Sequence, residues 1–225
     1  GGASAGGAAV GGGGWAVEAA GRAEHVGSVE DLQWSPSEPT VFISCGVDKS
    51  IKVWDVRESR RSMVTTSDAH ATDVNVVSWN PSVAYLLASG ADDGAFKVWD
   101  LRKFGGSAAA GGAAAGGGCE PVAHFRWHTR AVTSLEWHPS DESVLAVASE
   151  DDSISIWDMS VEEDTAVAGG GGGVSTQQLD VPPQLLFIHQ GQTSIKELHF
   201  HSQCPGVIMS TALDGYNIFK PNTNI

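Results

Sequence analysis

The sequence predicts an all-β fold built from repeated four-stranded sheets, and three observations carry that prediction. The phrase "SIKVWDVRESR" at 50–60 returns as "AFKVWDLRKFG" at 95–105, 45 residues later. Four landmark residues keep one spacing through three successive units. Between the landmarks lie short alternating or apolar runs bounded by turn residues, the texture of strands rather than helices.

The landmarks are read outward from the repeated phrase. Trp54-Asp55 and Trp99-Asp100 gain a third member in Trp157-Asp158. Another tryptophan stands 20 residues upstream of each, at Trp34, Trp79 and Trp137, and each heads a tripeptide ending in proline. A histidine lies nine residues before that tryptophan, at His25, His70 and His128. An aspartate lies six residues before the second tryptophan, at Asp48, Asp93 and Asp151. A degenerate fourth unit follows: His189, Phe200, Pro205, Asp214 and Phe219, its spacing slipped by one or two residues.

Strands are expected in unit one at 29–34, 40–44, 50–54 and 62–66, with Pro36, Pro39 and "GVDKS" as turn signals. Unit two predicts 74–79, 84–89, 95–99 and 122–126; unit three predicts 132–137, 144–148, 153–157 and 184–188. Unit four predicts 194–200, 207–211 and 215–219, with no fourth strand. Four antiparallel strands in forty-odd residues make a propeller blade, with a β-sandwich of the same strands as the alternative. Propellers close with about four to eight blades. The chain carries about four, which predicts a partial ring that exposes sheet faces, unless the four close on themselves. "WAVEA" at 15–19 reads as the outer strand of an earlier blade, and the start on Gly1 rather than Met reads as a fragment.

Domain organisation follows. Residues 1–21 are a low-complexity Gly/Ala segment, and 22–225 are the partial propeller, with units at about 25–66, 70–126, 128–188 and 189–220. A Gly/Ala insertion occupies 105–118, and an acidic, glycine-rich loop occupies 161–181. Such tracts bury nothing and lose much backbone entropy on ordering.

Composition narrows the function classes. The formal net charge is -14, with 27 acidic and 13 basic residues, and no Lys/Arg cluster stands ready for phosphates. Direct nucleic-acid binding is therefore not expected; a basic protein partner suits an acidic surface. No run of 18 apolar residues spans a membrane. Cys45, Cys119 and Cys204 form neither a disulfide framework nor a CxxC pair, which fits a reducing compartment.

His25 beside Asp48 resembles a catalytic base and its orienter. The same pair recurs as His70/Asp93 and His128/Asp151, and an enzyme needs one site, not one per unit. The nine residues His25, Asp48, Trp54, His70, Asp93, Trp99, His128, Asp151 and Trp157 are instead expected to form a buried hydrogen-bond network in each blade. No catalytic site, cofactor or metal is expected: the histidines lack carboxylates or thiolates at ligand spacing, and the glycine tracts lack the lysine and helix of a phosphate loop. Two features are left as candidate partner contacts. One is the acidic run Glu162, Glu163, Asp164. The other is Arg57 and Arg102, each three residues after its tryptophan, which either close the blade through Asp55 and Asp100 or face a partner.

The spacing of histidine, Trp-Ser-Pro, aspartate and Trp-Asp over residues 25–220 resembles the WD-repeat propeller superfamily. Within it, "SVEDLQWSPSEPTVFISC" (28–45), "HATDVNVVSWN" (70–80), "VTSLEWHPSDESV" (132–144), "PPQLLFIHQGQTSIKELHFHSQCPG" (182–206) and "STALDGYNIF" (210–219) resemble the glutamate-rich WD-repeat proteins of ribosome biogenesis. That resemblance implies a seven-bladed propeller, of which this chain holds about four blades. It implies a nuclear, nucleolar protein that escorts a newly made large-subunit ribosomal protein to pre-ribosomes, some members also binding histones. The family's N-terminal helix, glutamate-rich stretch and first blades have no counterpart in this sequence. Trp-Asp-x-Arg at 54–57 and 99–102 also resembles the adaptor-contact motif of substrate receptors on cullin-type ubiquitin ligases, which is the competing expectation.

Overall fold

The computed structural model describes residues 24–58, 61–104, 119–162 and 181–222. The expected strand at 15–19, the insertion at 105–118, and Glu163 and Asp164 lie outside the described residues. Among the described residues, fifteen strands form four antiparallel sheets, each a meander in chain order. Blade one holds β1 (Val29–Trp34), β2 (Val41–Gly46), β3 (Ile51–Asp55) and β4 (Val64–Thr66). Blade two holds β5 (Val74–Trp79), β6 (Leu86–Ala91), β7 (Ala95–Asp100) and β8 (Ala123–Arg126). Blade three holds β9 (Val132–Trp137), β10 (Val144–Ser149), β11 (Ser153–Asp158) and β12 (Leu185–Gln190). Blade four holds β13 (Ile195–Phe200), β14 (Ile208–Ala212) and β15 (Gly215–Phe219). Successive sheets stack through their first strands, β1 on β5, β5 on β9, β9 on β13. This is a partial β-propeller.

The core is three seams between blades. Side chains alternate across a strand, so a central strand feeds two seams at once. On β6, Leu87 joins the seam between blades one and two while its neighbour Ala88 joins the seam between two and three. On β10, Leu145 and Val147 face blade two while Val144, Ala146 and Ala148 face blade four. Both faces are covered, which explains why β6 and β10 read as small and apolar throughout rather than alternating. The seams end where the blades do. Leu32 and Trp34 on β1 and Met209, Tyr216 and Ile218 on blade four are exposed, on faces no further described blade covers.

Side chains also bridge the blades. Asp31 of β1 accepts the Val77 N–H at 3.0 Å, and Gln33 accepts the Trp79 N–H. Ser134 and Glu136 of β9 accept the Leu198 and Phe200 N–H groups at 3.3 and 3.2 Å. Each bridge satisfies donors on the unpaired edge of the next blade's first strand, donors that would otherwise be costly to bury.

Every blade turns from its second to its third strand through a left-handed residue directly after the landmark aspartate. These are Lys49 (φ 62°), Gly94 (φ 76°), Asp152 (φ 70°) and Gly215 (φ 129°). Two of the four carry a Cβ, so the conformation alone does not demand glycine. Gly94 is different because a Cβ there would sit 2.2 Å from the His128 carbonyl oxygen of blade three. Gly94→Ala is therefore expected to destabilise the fold by about 2–4 kcal/mol, read as a shift of the urea midpoint. Lys49→Gly, at the same turn position, is expected to change it by less than about 1 kcal/mol.

Candidate protein-interaction site

The landmark histidine and tryptophan meet in each of the first three blades, through a serine that spacing alone does not reveal. In blade one, His25 Nδ1 lies 3.0 Å from both Asp48 oxygens, and His25 Nε2 lies 2.7 Å from Ser44 Oγ. Trp54 Nε1 donates to the same Oγ at 2.8 Å. A carboxylate only accepts, so Nδ1 carries the proton, Nε2 accepts from the serine, and the serine oxygen accepts from the indole. The chain of bonds thus runs from indole to hydroxyl to imidazole to carboxylate. Blade three repeats it with Trp157, Ser155, His128 and Asp151. There the serine sits on the third strand, because Val147 occupies the position that Ser44 holds in blade one.

Blade two breaks the pattern. His70 Nε2 meets Ser89 at 2.7 Å and Trp99 donates to that serine at 2.8 Å. His70 Nδ1 has no hydrogen-bond partner and does not reach Asp93. The expected His70–Asp93 contact is thus not made. In blades one and three a serine two residues after the aspartate, Ser50 or Ser153, bonds the carboxylate and lies 3.3 Å from the imidazole. The matching residue of blade two is Ala95. Blade four differs from expectation as well. His189 belongs to β12 and stacks on Phe219 at 3.7 Å; buried Gln192 takes the histidine's place, bonded to Ser210. The Thr193 N–H then reaches Asp214, as the Val26 N–H reaches Asp48.

The electrostatics follow from these contacts. Desolvation would raise the Asp48 carboxyl, but hydrogen bonds from Ser50, the Val26 N–H and His25 outweigh it and bring its pKa down to about 2. Asp151 is held well below the carboxylate range: burial opposes the shift, while His128, Ser153 and the Thr129 N–H produce it. Burial, and then the Lys97 charge, pushes His70 down to about 3. Along the first strands of the four blades, a cavity of about 450 Å³ has Glu30, Asp31, Glu136, Lys196, Glu197 and His199 among its lining residues. His199 bridges Glu136 and Glu197 at 3.0 and 3.1 Å; burial lowers its pKa, yet the two carboxylates together raise it. Among the described residues no group of three or more His, Cys, Asp or Glu could hold a metal ion, and no helix is long and apolar enough to cross a membrane.

The two arginines each bond the aspartate two residues before them and leave their side chains largely exposed. Arg57 Nε lies 3.0 Å from each Asp55 oxygen, and Arg102 Nε lies 2.9 and 3.2 Å from those of Asp100. The aspartates are almost buried, while the arginine side chains are 72% and 64% exposed. Arg102 also lies over the Tyr85 ring at 3.7 Å. The arginine hydrogen bonds hold the Asp55 carboxyl down at about 2 and lower Asp100. Of the acidic run, Glu162 is described and exposed.

A family model for the WD domain, G-beta repeat, matches residues 22–55, 61–100 and 119–158. The chain belongs to the WD-repeat family. It is 50% identical over 212 residues to Ribosome assembly protein rrb1 of Schizosaccharomyces pombe, covering 94% of this chain and 42% of that protein. It is 50% identical over 214 residues to Protein HEAT STRESS TOLERANT DWD 1 of Arabidopsis thaliana, covering 93% of this chain and 43% of that protein. It is 45% identical over 200 residues to Glutamate-rich WD repeat-containing protein 1 of Dictyostelium discoideum, covering 89% of this chain and 39% of that protein. The chain therefore spans less than half the length of these relatives. It is a WD-repeat protein related to Ribosome assembly protein rrb1.

Two measurements probe the network. Ala95→Ser supplies blade two with the hydroxyl that the other WD repeats use, and it is expected to add about 1 kcal/mol by urea unfolding. Stability should also depend on His70. Its pKa is about 3 folded and about 6.5 unfolded. The unfolded state therefore binds the extra proton between those values, and stability is lost as pH falls below about 6.5. Between about pH 6.5 and 4.5 the loss is on the order of 2 kcal/mol. His70→Gln, which borrows the residue of blade four, should flatten that part of the urea-midpoint profile.

Proposed function

We propose that this chain is the interaction scaffold of a ribosome-assembly WD-repeat protein, acting in the nucleus and nucleolus on a basic large-subunit ribosomal protein, without catalysis. One observation carries the reading: half of the residues match Ribosome assembly protein rrb1 across 94% of the chain. The charge agrees with it, because a net -14 surface favours encounter with a strongly basic client and repels nucleic acid. The network residues serve the fold in this reading, and Asp93, outside the network, accepts the Ala95 N–H of its own turn. Their serines, Ser44, Ser89 and Ser155, are buried and already bonded to an indole, so none of the three faces a substrate as a nucleophile. The chain is expected to retain a large-subunit ribosomal protein from a purified set at about 0.1 M salt and to release it near 1 M, as screening shortens the reach of charge. Equal retention of core histones would favour a histone-binding scaffold, and retention of neither would overturn the reading.

A second reading has its own support. Arg57 and Arg102 occupy the same position in consecutive blades with largely exposed guanidinium groups, and the chain is 50% identical to Protein HEAT STRESS TOLERANT DWD 1. In that reading the arginines contact the adaptor of a cullin-type ubiquitin ligase. Replacing both by alanine should lower adaptor capture at least tenfold while the circular dichroism spectrum stays that of a β fold. Unchanged capture would exclude the contact.

A further inference from the structure

The two exposed arginines occupy one repeat position, yet their settings differ. Each guanidinium is held at one edge: Nε and Nη2 bond Asp55 in blade one and Asp100 in blade two. Arg102 also has a ring beneath it. Its Cζ stands 3.7 Å from the ring centroid of Tyr85, the residue that enters β6. Tyr85 is 39% exposed and belongs to none of the three apolar seams. Blade one has Thr40 at that position: the Val56 N–H bonds the Thr40 carbonyl as the Leu101 N–H bonds that of Tyr85, each at 2.8 Å. The Thr40 hydroxyl donates to Asp55 and offers Arg57 no flat surface. Blade three has Ser143 and Ser160 at the two positions. Among blades one to three, ring and arginine therefore occur together only in blade two.

The backbone that carries Arg102 is anchored on both sides. Asp100 accepts the Arg102 N–H at 3.0 Å and caps a 3-10 turn at Leu101–Lys103. Phe104 follows, where blade three has Glu162. It is 8% exposed, lies edge-on to Trp99 at 5.9 Å and joins the seam between blades one and two. The Arg102 guanidinium thus has one edge on a carboxylate and one face on a ring, and its Nη1 edge is engaged by neither. A guanidinium only donates, so that edge takes a carboxylate or carbonyl oxygen. A group already ordered loses less freedom on binding, and stacking on an aromatic face supplies such order.

We propose that Tyr85 is a positioning residue: it aims the Nη1 edge of Arg102 at an acceptor oxygen of the partner protein and makes Arg102 the stronger of the two arginine contacts. That the partner is a ubiquitin-ligase adaptor rests on the second reading above; the hold of Tyr85 on Arg102 does not.

The test uses the full chain and a purified adaptor of a cullin-type ligase, followed by biolayer interferometry. Side-chain NMR of the arginine Nε–Hε groups gives a readout that needs no partner. Arg102→Ala should weaken adaptor binding about threefold more than Arg57→Ala does. Tyr85→Leu should weaken it about fivefold, while Tyr85→Phe, which keeps the ring, stays within about twofold. Added to Arg102→Ala, Tyr85→Leu should cost nothing further; added to Arg57→Ala, it should keep its full effect. A merely structural tyrosine would act in both backgrounds. The ring should hold the Arg102 Hε signal upfield; Tyr85→Leu moves it downfield and Tyr85→Phe leaves it in place. An unmoved signal, or equal effects of Tyr85→Leu in the two backgrounds, overturns the proposal. If Arg102→Ala weakens adaptor binding and Tyr85→Leu does not, the positioning inference fails and the adaptor reading stands. If the wild-type chain binds no adaptor, the adaptor reading fails, and the Arg102 signal alone decides whether Tyr85 holds the guanidinium.

Discussion

A twisted four-stranded sheet with two apolar faces cannot bury both by itself, and this constraint organises the molecule. Blades two and three hide one face on their predecessor and the other on their successor, so the cores lie between sheets rather than within them. The central strands β6 and β10 must then be apolar on both sides and also slim, which accounts for their Ala, Gly and Ser content. Large residues enter from one side at a time: Trp99 fills the seam toward blade one, and Trp157 packs against Phe96 of blade two at 4.9 Å. Edge donors of the innermost strands are met by side chains of the preceding blade, so stacking and hydrogen bonding reinforce each other.

A seam filled by an indole has a polar difficulty, because the indole N–H is carried inside with the ring. The serine-histidine-aspartate relay resolves it. The serine takes the indole proton, the histidine takes the serine proton, and the aspartate, 13% exposed in blades one and three, ends the chain near water. The same relay ties the turn before the first strand to the turn before the third, so one set of bonds satisfies the core and fixes two loops. Its resemblance to a hydrolytic triad is real in geometry, yet the hydroxyl oxygen is spent on the indole. Blade four, which has Phe219 at the tryptophan position, has no indole to satisfy and makes do with a Gln192–Ser210 bond.

Strand positions were legible because they depend on local alternation and on turn residues, and the expected strands of all four units match those observed to within about two residues. The tryptophan, histidine and aspartate stood out because their spacing recurs. The serines did not, since Ser44 and Ser89 share one spacing while Ser155 reaches the same point in space from the adjacent strand. Pairing across a sheet lets two sequence positions supply one hydroxyl, and a linear register cannot see that. His189 misled for a related reason: histidine is the landmark elsewhere, but the slipped spacing moved it onto a strand and put Gln192 at the turn. The loss of the His70–Asp93 contact turns on Ala95, a substitution that only matters once the role of Ser50 and Ser153 is known.

In a repeat protein, what recurs in every unit answers to the fold, and what departs from the repeat is free to answer to something else. The histidines and tryptophans recur and point inward, and Asp48 and Asp151 bond their histidines. Arg57 and Arg102 recur only in blades one and two, and Ser160 stands at that position in blade three, accepting a role within its own turn by bonding Asp158. A residue needed to close every blade would not lapse there, so the exposed guanidinium groups are not explained by the fold alone. The same logic separates Phe104 from Glu162. One completes a seam from within, while the other is an exposed carboxylate.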